Sequence, residues 1–231
     1  MSMKEIVDRS DLDKSSVQRL LNTLTKLGYI IKNEETKRYF LSVKNVDLAY
    51  GFIRSNSLIS LVTPYLVHLN IETEESVNLS ILDDLDVVVI SRIASRHLLN
   101  TNVIFGTRVP AYCSASGIAI LSKIPREEAL DILERSDRRQ ITSSTTWRMD
   151  DLIRKLDVSA EAGYALNFEE MTPGALSLAS PIVTRSGIQR GAINLAVSRS
   201  RYTPEEMEKR FGQLIRAASL AVSSEIDSQH N

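Results

Sequence analysis

The chain has 231 residues, 43% hydrophobic and 25% charged, with a formal net charge of −1 and one cysteine, Cys113. These numbers fit a globular chain of one or two domains and exclude an intramolecular disulfide or a Cys-rich zinc site. The opening MSMKEIVDRSDLD is too polar for a secretory leader, and runs such as VVVI at 87–90 fall far short of the ~20 apolar residues that cross a bilayer, so a cytoplasmic protein without a membrane partner is expected.

In chain order, residues 3–10 read as a short helix with Ile6 and Val7 inward. Asp13 is placed to cap a second helix over 14–27. In that helix Val17, Leu20, Leu21, Leu24 and Leu27 recur at three- and four-residue spacing and predict one apolar stripe. Gly28 ends it. YIIKNEETKRYFL (29–41) predicts a hairpin with strands 29–31 and 38–41 about an NEET turn. A connecting helix is expected over 43–60, and Pro64 sits near the start of another reaching about Ile71. Strands follow at 77–82, 87–94 and near 102–105. Helices are predicted over 114–122, 125–134 and 149–162, strands over 164–169, 176–183 and 191–198, and a last helix from Pro204 to about Ile226. Strands mixed with segregated helices, without βαβ alternation, indicate an α+β domain on an antiparallel sheet.

Helix, tight turn, helix and basic hairpin is the order of a winged helix-turn-helix. The second helix would bury its leucine stripe and offer Lys14, Ser15, Ser16, Gln18, Arg19, Asn22, Thr23 and Lys26 on a face without an acid. Such groups suit base edges in a major groove, and Lys37 and Arg38 suit phosphates or the minor groove. A solvated amphipathic helix is the plainer account of the same pattern. Charge is distributed accordingly: residues 1–55 hold ten Lys/Arg and seven Asp/Glu, a net of +3, which leaves −4 for the remainder.

DLDKSSVQRLLNTLTKLGYIIKNEETKRYFLS resembles the head of the IclR family of bacterial regulators, in which a helix-turn-helix runs through Leu-Gly-Tyr (Leu27, Gly28, Tyr29) into a wing ending Arg-Tyr-x-Leu (Arg38, Tyr39, Phe40, Leu41). The resemblance continues through FGTRVPAYCSASGIAILSKIPREE (105–128) and GYALNFEEMTPGALSLASPIVTRSG (163–187). GTRVPAYCSASG and INLAVS are closest to the subgroup that governs breakdown of protocatechuate, para-hydroxybenzoate and related acids. It implies a winged helix-turn-helix at 1–42, a linker helix at 43–60 and, at 61–231, a GAF/profilin-like effector and oligomerisation domain with an antiparallel sheet flanked by helices. Ser15, Ser16, Gln18 and Arg19 become the recognition residues. One departure stands out: the segment that ordinarily precedes the first helix is not seen, whether through truncation or a late start, and a less stable head with weaker DNA affinity is expected.

The resemblance also implies a pocket with Val109 in its wall and Asn167, Ser177 and Asn194 on strands facing it. On their own chemistry, Ser114, Ala115, Ser116 and Gly117 open a helix with small side chains, where free amides and the helix dipole favour an anion. Helix capping by a serine gives the same residues a purely structural role. Arg108 is either a counter-ion to a carboxylate or a surface residue. The expected ligand is a small aromatic, keto or hydroxy carboxylic acid. No cofactor and no metal are expected, because His68, His97 and His230 lie in unrelated segments. Expected partners are double-stranded DNA bearing an inverted repeat and a second copy of the chain, with tetramers as pairs of dimers. Two alternatives stay open: a sensor acting through protein partners, and a small hydrolase using Cys113 and Ser116. The hydrolase is disfavoured, since there is no Gly-x-Ser-x-Gly elbow and no evident His/Asp constellation.

Overall fold

The computed structural model describes residues 1–97, 103–185 and 189–229. The chain forms two compact units, Met1–Asn56 and Ser57–Asn231, each with its own core.

In the first unit, α1 (Met3–Val7) and α2 (Lys14–Lys26) precede a hairpin of β1 (Ile30–Lys32) and β2 (Tyr39–Leu41), with α3 (Asn45–Ser55) after it. Asp13 caps α2 by accepting from the amides of Ser15 and Ser16 at 2.8 and 3.1 Å. Gly28, at φ +80°, takes the left-handed turn that releases the chain into β1. The core is small: Val17, Leu21 and Ile30, with Met3, Ile6, Val7 and Tyr39 packed on it. The expected stripe on α2 is therefore narrower than its spacing suggested. Leu20, Leu24 and Leu27 are exposed, because a five-residue α1 and a two-stranded hairpin cover only the Val17 and Leu21 edge.

The segment expected as one connecting helix over 43–60 is divided at Asn56, whose backbone is extended (φ −88°, ψ 99°). Beyond it α4 runs from Ser57 to Thr73, with Pro64 in its interior rather than near its start. Burial of Ile59, Val62, Leu66 and Leu69 outweighs the backbone hydrogen bond that proline removes.

The second unit carries a six-stranded antiparallel sheet in the order β5-β4-β3-β8-β7-β6. Its strands are β3 (Ser76–Asp83), β4 (Asp86–Ile93), β5 (Arg108–Pro110), β6 (Ala165–Phe168), β7 (Ala175–Val183) and β8 (Gln189–Ser198). One face takes α4 and α8 (Pro204–Ser228), with Val77, Leu79, Ile193, Leu195, Phe211 and Ile215 in the seam. The other face takes α5 (Ala115–Leu121), α6 (Arg126–Arg135) and α7 (Met149–Ala162). Of the strand expected over 102–105, residue 102 lies outside the described residues. Residues 103–107 are a turn that delivers the chain to β5, which pairs Val109 with Val87.

Strand β3 alternates strictly. Val77 and Leu79 enter the α4/α8 core, so Ser76, Asn78 and Ser80 face the α5 side. Strand β4 does not alternate strictly. Leu79 pairs with Ser91 but Ser80 pairs with Val89, which leaves Ile90 as the extra residue of a bulge. The bulge turns Arg92 onto the face shared by Val87 and Val89, opposite Asn78.

Candidate functional site

The α5-side face of the sheet and the start of α5 enclose a cavity of about 140 Å³. Val89, Val103, Val109, Met171 and Leu176 make its apolar wall. Ser114, Ala115, Ser116, Asn167, Ser177 and Asn194 all line it, as does Arg92. Of the residues expected there, Gly117 is not in the lining. It is turned to the 3-10 segment Ala111–Cys113, where an added Cβ would stand 2.1 Å from the Ala111 carbonyl oxygen. Its missing side chain serves close packing.

Arg92 donates to Asn78 Oδ1 at 2.8 Å and to Ser76 Oγ at 3.3 Å. Asn78 Nδ2 donates to Asn194 Oδ1 at 2.8 Å, and Asn194 Nδ2 reaches the Leu178 carbonyl at 3.3 Å. Among the described residues no carboxylate lies within ion-pair distance of Arg92. Burial alone pulls its guanidinium below the ordinary arginine value. The site thus presents a half-buried cation whose hydrogen-bond partners among the described residues are neutral. Arg108, the other cation considered from the sequence, is exposed and bound to Asp83 and Asp86 at 2.6 and 3.1 Å.

The polar residues divide by what they have left to offer. Asn167 donates to the Cys113 carbonyl at 2.6 Å and accepts from the Glu170 amide at 3.3 Å, so its carboxamide holds the wall together. Asn194 is likewise engaged with Asn78 and Leu178. Ser114 Oγ accepts from the Gly117 amide at 3.1 Å and acts as the α5 cap. The hydroxyls of Ser80, Ser116 and Ser177 have no hydrogen-bond partner among the described residues, and all three line the cavity. Helix α5 is only seven residues long, so the positive charge of the site comes from Arg92 rather than from its dipole.

Cys113 is fully buried, and burial pushes its thiol up to about 12. It touches Met171 Sδ at 3.0 Å, and the thiolate needed for nucleophilic work is suppressed. Behind the wall, Lys155 forms a buried ion pair with Glu170, whose other oxygen accepts from the Thr146 amide at 3.0 Å.

Sequence reasoning missed Arg92, Asn78 and Ser80. A signal for the last two was present: polar residues at 76, 78 and 80 interleave apolar ones in a strand buried on both sides. Arg92 was concealed by the bulge, since strict alternation puts it on the face opposite Val87 and Val89.

In the first unit a groove of about 590 Å³ is lined by Ser15, Gln18, Arg19, Asn22 and Thr25 of α2 and by Lys32 and Tyr39 of the hairpin. Lys14 is exposed at the helix start and Ser16 is half-buried beside the cap. Ser15 Oγ and Ser16 Oγ both donate to the Asp13 carboxylate at 2.7 Å, which holds that acid far below the ordinary carboxylate range. Arg19 donates to Ser16 Oγ at 3.3 Å. The two hairpin cations expected to meet DNA are matched with acids: Lys37 with Glu34 at 3.0 Å and Arg38 with Glu5 at 3.1 Å.

A helix-turn-helix unit followed by an α+β unit with a ligand-sized cavity defines a ligand-sensing transcriptional regulator. Comparison with known proteins agrees. Residues 51–224 match the family described as "Bacterial transcriptional regulator IclR C-terminal", and residues 1–34 match "IclR helix-turn-helix domain". The chain belongs to the IclR family of bacterial transcriptional regulators, which are not enzymes. The Pca regulon regulatory protein of Pseudomonas putida is 29% identical over 220 residues, covering 95% of this chain and 75% of that protein. The regulator KdgR of Escherichia coli is 28% identical, covering 94% and 83%. A transcriptional regulator from Rhodococcus sp. RHA1 superposes with a TM-score of 0.81 at 26% identity, covering 100% and 91%. No helix among the described residues is long and apolar enough to cross a membrane.

Proposed function

We propose that this regulator controls a catabolic operon in response to a small carboxylic acid, aromatic or bearing a keto or hydroxy group, held in the 140 Å³ cavity. The observation that carries the reading is Arg92: a half-buried guanidinium surrounded by neutral partners, in a cavity that otherwise offers hydroxyls and apolar wall. Burying a charge is costly unless a partner arrives, so an anionic ligand relieves a cost already present in the fold. The volume matches an aromatic ring or a short acid, since a cavity of about 150 Å³ admits one benzene. Similarity to a Pca regulon regulator supports the aromatic branch. Residues 1–42 then bind an inverted-repeat operator as part of a homodimer, tetramers being pairs of dimers, with residues 43–60 as the connection and 61–231 as the sensing and assembly domain. The protein works in the cytoplasm.

The test is a thermal-shift screen of the full chain against aromatic, keto and hydroxy acids, run beside Arg92→Gln. A ligand at a hundred times its dissociation constant stabilises by about 2.7 kcal/mol. Hits in the wild type whose stabilisation is clearly reduced in Arg92→Gln support the reading. A panel without hits, or hits indifferent to Arg92, would sink it.

A further inference from the structure

We propose that the loop between α6 and α7 docks a protein partner: Arg138, Trp147 and Arg148 take a short acidic segment, with its carboxylates on the two guanidinia and an apolar side chain on the indole. The inference stands apart from the effector cavity and from the DNA-binding unit.

The loop, residues 136–148, is tied down before any partner arrives. Thr145 is buried, and its hydroxyl accepts from the Thr142 amide at 2.7 Å and donates to the Glu170 carbonyl at 2.7 Å. Thr142 Oγ1 donates to the Glu169 carbonyl at 2.8 Å, and the Thr146 amide donates to the Glu170 carboxylate at 3.0 Å. A platform ordered in advance loses little freedom on binding. The loop thus buries a threonine and leaves the chain's one tryptophan, Trp147, 38% exposed. Trp147 and Arg148 line two open grooves, of about 510 and 450 Å³, and Arg138 lines the first.

The arginines of the flanking helices are already matched. Arg126 sits on Asp157 at 2.8 Å, Arg135 on Asp84 at 2.9 Å, and Arg154 on Asp151. Among the described residues neither Arg138 nor Arg148 forms an ion pair. Arg138 Nη1 reaches the Trp147 carbonyl at 3.4 Å, and its Nε is buried without an acceptor, a cost that an arriving carboxylate relieves. Arg148 lies over the Trp147 ring, 5.6 Å from its centroid. Residues 136–148 carry three arginines and one aspartate, a net of +2, on a unit whose residues 57–231 are net −4. Tryptophan and arginine are also the side chains that most often anchor protein interfaces. Each groove holds one aspartate, Asp137 in the first and Asp151 in the second. Those acids oppose a continuous phosphate chain and favour a few discrete carboxylates set between them.

Because Trp147 is the chain's one tryptophan, its fluorescence reports the groove directly. The full chain is titrated with the acetylated and amidated peptide Asp-Asp-Leu-Leu-Glu-Glu, with its Asn/Gln counterpart and with duplex DNA. The titrations are repeated on Arg138→Gln, Arg148→Gln and, as a matched-arginine control, Arg126→Gln, each checked for its fold by circular dichroism. The acidic peptide is expected to change the fluorescence saturably, more weakly as salt rises, and the amide peptide to leave it unchanged. Arg138→Gln and Arg148→Gln should each weaken binding by about 5-fold or more, the loss expected of an interface anchor. Arg126→Gln should bind as the wild type does. The proposal is overturned if the acidic peptide gives no saturable change at millimolar concentration, or if its binding ignores Arg138 and Arg148 or depends equally on Arg126. It is also overturned if duplex DNA perturbs Trp147 with the same dependence on the two loop arginines, which would make nucleic acid the occupant.

Discussion

Arg92→Gln removes the charge while keeping a polar side chain at the site. Hydrogen bonds to charged groups contribute about 1.5–3 kcal/mol, so the effector should bind roughly 10- to 150-fold more weakly, as isothermal titration would show. Gly117→Ala is different in kind. Its Cβ would overlap the Ala111 backbone, where no flexible side chain can give way. Overpacking of this sort costs about 3 kcal/mol, which lowers the melting point by roughly 6–12 °C in a unit of this size. Cys113 tests burial directly. Its thiol should resist alkylation at pH 8 in the folded protein and react once the unit is unfolded. Because the folded state holds that proton more tightly, stability should fall as pH rises from about 9 towards about 12. A denaturant titration repeated across that range, with Cys113→Ala as control, checks the sign. At this scale the sequence was informative where chemistry is local, as at Ser114 with its small neighbours. It was silent on Arg92, because a bulge is a property of two paired strands and one strand's pattern does not contain it.

Among the elements, α2 was the most legible. Its cap, its length and its closing glycine all follow from Asp13, the leucine spacing and Gly28. What spacing did not reveal was how much of the stripe would find cover. That depends on the neighbours, and α1 is short. Asp13 has a second task, since it orients the Ser15 and Ser16 hydroxyls as well as their amides. Asp13→Ala should loosen the start of α2, reducing helicity by circular dichroism and weakening DNA binding together. Since the folded carboxyl is depressed, the contribution is complete above the ordinary carboxylate range and fades as pH falls through the folded value. Helix α4 shows the reverse of α2: Pro64 is expected near a helix start and is an interior residue, because four buried apolar side chains on the same helix outweigh one lost donor.

For the whole molecule, the two cores are very unequal. Three buried residues hold the first unit, whereas eighteen form one of the two clusters in the second. Calorimetry of the full chain should therefore resolve a weak low-temperature transition and a stronger one above it, and an effector should move only the upper one. A single transition shifted as a whole by the ligand would contradict the assignment of separate cores. The antiparallel α+β architecture was legible from the rhythm of strands and helices. The order of the strands was not, because β3 lies beside β8 and that pairing spans more than a hundred residues.

Arg92 without an acid beside it has a practical corollary. Any small anion in solution is a candidate counter-ion, so chloride, sulfate and phosphate become rivals of the true effector. Apparent affinity should then differ between buffers for reasons unrelated to ionic strength, and a screen run in phosphate would start with its target partly occupied.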